Sequence, residues 1–410
     1  MTPSHPVHPG ALSGLRVIDL SHVLAGPMLT QMFGDHGAEV VKVEPPGGEV
    51  SRKMGPSTNE HGFSSHYFSV NRNKRAMALD LARPEGIEVL MRLLADADVL
   101  IENFKPGTMR AFGLDYQTVL APRFPRLIVA HISGFGEEGP LGGLIGMDPT
   151  AQAMCGLMSW QGEPDGPPMR AAASIVDMLA GFYAASGILM ALHERHRSGR
   201  GQEIEVALFD AAFTLTHPYA ADWFMSGRDP ARIGNRHPSG APYNVYRCRD
   251  GHVLLAWAND KQFRLLRQMI GRPELADDPR FGNVRDRFRH QDAIDAEVNA
   301  AFATRDKNEV ALTLLRAGVP AGAVLTMGEA LRHEQLAARG LVVEDPSIGF
   351  KAVGSPIRMS RTPPALHQRP ARFGEHSRAV LREAGFSDAE VDALIAGKVL
   401  FDTESRGPAA

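Results

Sequence analysis

Leu15-Arg-Val-Ile-Asp-Leu20 is followed by Ser21-His-Val-Leu-Ala-Gly-Pro27, a helical stretch through Phe33, and Ala38-Glu-Val-Val-Lys-Val-Glu44, which Pro45-Pro46-Gly47-Gly48 ends. This opening run reads as strand, helix, strand. Working outward, the alternation continues. Arg75-Ala-Met-Ala-Leu-Asp-Leu81 is a third strand, and Pro84 opens a helix to about Ala95. Asp98-Val-Leu-Ile-Glu-Asn103, Arg126-Leu-Ile-Val-Ala-His-Ile132 and Gln202-Glu-Ile-Glu-Val-Ala-Leu208 are further strands. Mostly apolar strands alternating with helices predict an α/β fold, a doubly wound, mostly parallel, Rossmann-like sheet covered on both faces. Ligands of such sheets bind beyond the carboxyl ends of the strands. The exits to watch are Leu24, Ala25, Asn103, Phe104 and the Ser133-Gly134 loop.

The rest of the chain divides by texture. Residues 1–14 and 405–410 read as tails, 15–225 as the large α/β domain, and the Gly/Pro/Arg-rich 226–242 as a linker. Residues 243–325 read as a small α+β domain, opening with a hairpin, Val245–Trp257, that turns at Asp250-Gly251. Residues 326–404 are expected to return and pack on the large domain, with a capping box at Ser387-Asp-Ala-Glu390.

At 410 residues, 44% hydrophobic and 22% charged, the composition is that of a soluble globular protein. A net charge of -3 offers no electrostatic footprint for nucleic acid or a membrane surface. Two cysteines, Cys155 and Cys248, make no disulfide framework, and with no apolar leader at the N-terminus a cytoplasmic location is expected.

Ser174-Ile-Val-Asp177-Met-Leu-Ala-Gly181 opens the most apolar run of the chain. It predicts a buried helix of about 15 residues, too short for a bilayer. Asp177 stands where an N-cap would stand. It is either a plain cap or a carboxylate presented at a helix start, with N–H donors beside it for an anion. Gly134-Phe-Gly136-Glu-Glu-Gly139 is a literal G-x-G-x-x-G, but Pro140 and Gly142-Gly143 follow it where a dinucleotide fingerprint needs a helix, so it reads as a loop closing over substrate. His193-Glu-Arg-His196 lacks the H-e-x-x-H spacing of a metal site and reads as a solvated helix end; no metal ligand is expected.

A series of motifs in order carries a resemblance. They include Val17–Pro27, Gly37–Gly47, Asn71-Arg-Asn-Lys-Arg75 with Leu79-Asp-Leu81, and Glu102-Asn-Phe-Lys-Pro-Gly107. Ser133-Gly-Phe-Gly136, Asp177 with Gly181, Ser198-Gly-Arg-Gly-Gln202, Gly234-Asn-Arg-His-Pro238, Gly318-Val-Pro-Ala-Gly322 and Gly374-Glu-His376 continue it. From about Leu15 to Leu400 the chain resembles the class III CoA-transferases, the group of formyl-CoA transferase and carnitine CoA-transferase. The resemblance implies transfer of CoA from an acyl-CoA, succinyl-CoA favoured, to a small organic acid. Asp177 would be the nucleophile, passing through an aspartyl anhydride and an aspartyl-CoA thioester. It implies coenzyme A as substrate, no permanently bound cofactor, and a homodimer of interlocked subunits. CoA contacts carry over to Leu24, Ala25, Leu79, Asn103, Phe104 and Lys105. The phosphate charge is expected from Arg110, with Lys105 or Lys74 and Arg75. N–H donors for the oxyanion are expected from the helix start after Asp177 or from Gly134 and Gly136.

Two departures bear on substrate. The formyl-CoA enzymes carry Gln at the position of Leu24 and a four-glycine run that this chain lacks, which disfavours oxalate as acceptor. The related α-methylacyl-CoA racemases carry Gly-His-Asp where this chain has Gly146-Met147-Asp148, and methionine accepts no proton. Met147 therefore reads as an apolar wall beside the acyl group, and Asp148 as a structural carboxylate or a contact to CoA. Arg170 and His237-Pro-Ser-Gly240 either meet a distal carboxylate of the acceptor or serve as turns. The racemase, and an acyl-CoA-binding protein without turnover, are the competing readings.

Overall fold

The computed structural model describes residues 10–59, 62–256 and 259–404. The expected tails therefore lie outside the described residues apart from 10–14, as does Trp257 at the end of the hairpin. In chain order the strands are β1 (Arg16–Asp19), β2 (Glu39–Glu44), β3 (Arg75–Leu79), β4 (Val99–Glu102), β5 (Ile128–Ser133), β6 (Glu203–Ala207), β7 (Asn244–Cys248), β8 (Gly251–Leu255), β9 (Ala321–Ala323), β10 (Val342–Asp345), β11 (Phe350–Val353) and β12 (Leu400–Phe401).

Seven of them form one sheet in the order β12-β3-β2-β1-β4-β5-β6. All neighbours are parallel except β12, which runs antiparallel to β3. This is the doubly wound α/β sheet that the strand–helix alternation predicts. Its chain order reverses between β1 and β4, and that switch point opens a crevice at the carboxyl ends. Val17, Ile18, Val41, Leu100, Ile101 and Val129 are wholly buried, which is why these strands are written as unbroken apolar runs. β6 is the edge strand and turns Glu203 outward. The closing strand β12, two residues long, carries too little sequence for a periodic signal.

The chain divides into two compact units. The first runs to Cys155, then Ala171–His217, then from Arg339 onward; the second is Gly156–Arg170 with Pro218–Ala338. The expected linker at 226–242 thus lies within the second unit, and so does Gly156–Arg170, which was assigned to the large domain. Specific bonds hold these glycine- and proline-rich segments together. The N–H of Gly234 donates to the Gly162 carbonyl at 2.9 Å, Arg232 donates to the Ser159 carbonyl at 3.0 Å, and the Trp160 and Tyr219 rings lie 4.2 Å apart. The rest of that unit is a three-stranded antiparallel sheet, β7-β8-β9, with the helices Asp260–Met269, Gln291–Phe302 and Lys307–Arg316. The expected hairpin turns at Asp250-Gly251, between β7 and β8, and the expected capping box at Ser387 and Glu390 is present in the first unit.

One helix is longer than expected. The run opened by Ser174 forms a 24-residue helix, Ile175–Ser198, and by length and hydropathy it meets what a membrane span requires. The expected length of about 15 residues was too short because Ala191 through Ser198 keep helical backbone although charges enter there. Gly199, at φ +74°, ends the helix. Its buried face, Val176, Ala180, Ala184, Ile188 and Ala191, packs on β5, β6 and the helix Ala25–Asp35.

Candidate active site

At the β1/β4 switch point lies a cavity of about 350 Å³. The residues leaving β1 (His22, Val23, Leu24, Ala25) and β4 (Asn103, Phe104, Lys105) face it. Ser133 and Gly134 close it after β5, and Gly146, Met147, Asp148 and Asp177 complete it. The structure therefore brings Leu24, Ala25, Asn103, Phe104, Lys105, Gly134, Met147, Asp148 and Asp177 together from five separate segments.

The helix start explains how Asp177 arrives there. Gly181 sits one turn along the same helical face. A Cβ on it would lie 2.6 Å from the Ala25 carbonyl oxygen, so only glycine lets the two helices approach this closely. That contact sets Asp177 beside the Leu24–Ala25 turn.

Asp177 is not the cap. Ser174 occupies the N-cap position without a side-chain bond, and Asp177 is the third residue of the helix. The cap comes from Asp148, whose Oδ2 accepts the N–H of Val176 at 2.7 Å and of Asp177 at 3.1 Å. Oδ1 of Asp148 accepts the Gln152 amide, whose own oxygen accepts the N–H of Ala171 at 2.8 Å. Asp148 is thus the structural carboxylate of the two alternatives. Capping from 28 residues away leaves the Asp177 carboxylate free, and among the described residues no group donates a hydrogen bond to it. Burial pushes its carboxyl up to about 6, and the Asp148 charge adds to the rise. A carboxylate with a proton affinity this high is a better nucleophile than an ordinary aspartate, and at pH 7 it is still mostly ionised.

Several expectations are corrected. The N–H groups of Ile175, Val176, Asp177 and Met178 donate respectively to the Ala173 carbonyl, Asp148, Asp148 and the Ser174 carbonyl, so the helix start has no donor left for an oxyanion. The N–H of Gly136 is likewise spent on Ser133 Oγ at 2.9 Å. Gly134 keeps its place on the cavity wall; a Cβ there would stand 2.4 Å from the backbone of Gly146, so the two glycines also dock the 144–148 loop against the exit of β5. Leu79 is 1% exposed, paired with Leu400 of β12 and absent from the cavity wall. Lys74 is buried, its ammonium donating to the Pro27 carbonyl at 2.8 Å and Asn71 at 2.9 Å, with Asp19 at 3.2 Å. Arg75 opens β3 at the opposite end of the strand and is bound to Glu39 and Glu383. Neither Lys74 nor Arg75 faces the cavity. Arg110 pairs with Asp115 and Glu137 and lines a neighbouring cavity of about 590 Å³, which meets the first at Phe104, Lys105, Pro106 and Ser133.

His22 and Val23 also line the cavity, beyond the residues expected there, although a histidine at the exit of a central strand is itself a signal. Val23 has φ +67°, a left-handed conformation rare for a β-branched residue. Asn103 brackets His22, accepting its N–H at 2.7 Å and donating to its carbonyl at 2.8 Å, and Glu49 Oε1 accepts the N–H of Val23 at 2.7 Å. Asn103 is therefore spent on scaffold. The His22 ring lies 5.4 Å from that of Phe104, and burial, with Lys42, lowers its proton affinity so that it is neutral at pH 7.

Beneath the cavity lies a buried charge network. Asp19 meets Lys74, Ser21 and Thr30; Lys42 meets Glu49 at 2.7 Å; Glu44 holds Arg52 through two bonds of 2.6 Å. Burial opposes the Asp19 charge, but Lys74, Lys42 and the two hydroxyls outweigh it and hold the carboxyl far below its usual range. Burial lowers Lys74 to about 8. These charges tie the loop after β2 to the turn after β1, and residues 22–25 of that turn line the cavity.

The fold and site are those of an α/β protein with a carboxylate-bearing cavity at the switch point of a doubly wound sheet. Residues 12–377 match the model of CoA-transferase family III, and the chain belongs to that family. It is 39% identical to a succinate–glutarate CoA-transferase of Agrobacterium fabrum, over 91% of this chain and 95% of that one. It is also 39% identical to an acetyl-CoA:oxalate CoA-transferase of Acetobacter aceti, over 95% and 100%. A CAIB/BAIF family protein from Brucella suis superposes with a TM-score of 0.84 at 36% identity, over 92% and 100%. The protein is thus a class III CoA-transferase, acting on CoA thioesters and carboxylates. A glutarate enzyme and an oxalate enzyme are equally similar to it, so the expectation against oxalate drawn from Leu24 finds no support in the comparisons.

Proposed function

We propose that the protein moves CoA from succinyl-CoA to a small organic acid, with Asp177 as covalent nucleophile. The observation that carries this reading is the unpartnered Asp177 carboxylate, raised to about 6, on the wall of the switch-point cavity. An Asp177 oxygen attacks the thioester carbonyl, the C–S bond breaks, and CoA thiolate leaves an acyl-aspartyl anhydride. The thiolate then attacks Cγ of Asp177, releasing the donor acid and leaving an aspartyl-CoA thioester. The acceptor carboxylate attacks Cγ in turn and expels thiolate. Thiolate attack on the acceptor acyl carbon of this second anhydride forms the new thioester and restores Asp177. Water would hydrolyse the anhydride, and Leu144, Ile145 and Met147 give that side of the cavity an apolar lining. Methionine at position 147 supplies no α-proton acceptor, which favours transfer over racemisation.

A homodimer is part of this reading. The Ile175–Ser198 helix leaves Met178, Phe182, Tyr183, Leu189 and Met190 exposed, the last at 68%. A second copy of the chain is the cover that such an apolar stripe calls for.

The test is a peptide mass map after incubation with succinyl-CoA and hydroxylamine. A hydroxamate confined to the Asp177 peptide is the expected result. An unmodified Asp177 peptide across a panel of acyl-CoA donors, together with α-proton exchange in deuterated solvent, would replace the transferase with the racemase.

A further inference from the structure

Val23 is the one valine with positive φ among the described residues, and it lines the cavity that holds Asp177. A β-branched side chain resists this conformation, so something must hold it there. The neighbouring peptide of His22 is clamped at both ends by Asn103. The N–H of Val23 itself goes to Glu49, which comes from the loop after β2 and is 1% exposed. Glu49 is in turn fixed on every side: Lys42 at 2.7 Å, Ser51 Oγ at 2.5 Å, and its own N–H on Glu44 at 3.0 Å. Lys42 donates back to the Ser21 carbonyl at 2.8 Å, closing a ring of bonds around residues 21–23. Lys42 outweighs burial and keeps the Glu49 carboxyl ionised. Glu49, Lys42, Ser51 and Glu44 do not line the cavity, yet together with Asn103 they fix the bend that delivers His22, Val23 and Leu24 to it.

We infer that Glu49 is a positioning residue for CoA transfer: its carboxylate holds the Val23 peptide in the left-handed bend that shapes the acyl-CoA side of the cavity. This rests on reading that cavity as the CoA-transfer site. A purely structural Glu49 would support the buried pair with Lys42 and nothing more. The two roles separate at Val23, because glycine adopts positive φ without help. If the carboxylate matters through the bend, replacing Val23 by glycine removes the need for it.

The test is a double-mutant cycle of Val23→Gly and Glu49→Gln, read by the Kd for coenzyme A from calorimetry and by KM and kcat for succinyl-CoA. E49Q is expected to weaken coenzyme A binding at least about tenfold in the otherwise native chain and less than about threefold in the V23G chain. Its effect on succinyl-CoA turnover falls on KM, and the acid limb of the pH profile set by Asp177 stays in place. Equal losses in both backgrounds, or a loss on kcat alone, would overturn the inference. Thermal unfolding checks that each variant folds. If E49Q alone does not, K42M/E49Q removes both buried charges, and the same cycle with V23G decides on the same outcomes. Binding of coenzyme A by wild type without an Asp177 adduct or turnover sinks the transferase mechanism while leaving the cycle readable. An adduct with no coupling in the cycle sinks only the role of Glu49.

Discussion

The carboxylate of Asp148 accepts the backbone N–H of Asp177 at 3.1 Å, so one acidic residue caps the helix on which the other is displayed. Caps are usually local, supplied by the residue just before the helix. Here the cap is imported from 28 residues upstream of Val176, and Asp177 keeps its own oxygens for chemistry. The arrangement places two carboxylates close together and raises the proton affinity of the reactive one.

Asp177→Asn is expected to abolish turnover by about 10³-fold or more, as loss of a covalent nucleophile does. The same change should stabilise the fold at neutral pH. The carboxyl of Asp177 titrates at about 6 in the fold against about 3.9 in an unfolded chain. As pH rises from about 4 to 6 the unfolded chain loses this proton first, and stability falls. At pH 7 that difference amounts to at most about 3 kcal/mol. Denaturant unfolding at pH 7 should show D177N more stable than wild type, and below pH 4 the two should converge.

The pH profile of kcat/KM should fall on the acid side with an apparent pKa near 6, because protonated Asp177 cannot attack. Burial is the larger cause of that position and Asp148 the smaller. Asp148→Asn keeps an acceptor for the helix N–H groups but removes the charge, so the limb should move to lower pH. A limb that stays put in D148N would show that burial alone sets it.

Asp148→Ala tests the cap itself. It leaves the N–H groups of Val176 and Asp177 without their acceptor and should cost about 1–2 kcal/mol of stability by denaturant unfolding. D148N should recover most of that.

Gly146→Ala should damage the site by crowding. A Cβ at Gly146 would meet the Cα of Gly134 at 2.7 Å and the Phe135 ring at 3.0 Å. The 144–148 loop must then lift, at a cost of about 1–3 kcal/mol. Weaker coenzyme A binding with the Asp177 titration retained is the expected readout by calorimetry and pH profile.

Strands β1 to β5 are legible because both their faces are largely buried, which writes mostly apolar runs into the chain, whereas the edge strand β6 is legible through its Glu-Ile-Glu-Val alternation. Asp177 was legible as a residue type at a helix start, and Gly181 four residues on marked the face it shares. The length of that helix was not, since its last two turns carry charges with no apolar signal.

Composition and period thus dictate the parallel sheet, its open crevice and an aspartate at a helix start, because each follows from short-range geometry repeated along the chain. Which side chains stay free in that crevice follows from contacts between distant segments. Asp148 reaches Asp177, Glu49 reaches Val23, Asn103 reaches His22, β12 covers Leu79, and Asp19 draws Lys74 inside. No local pattern encodes such pairings. They exist only once folding has paid for burying each charge with a specific partner, and that requirement selects which polar groups remain available for the reaction.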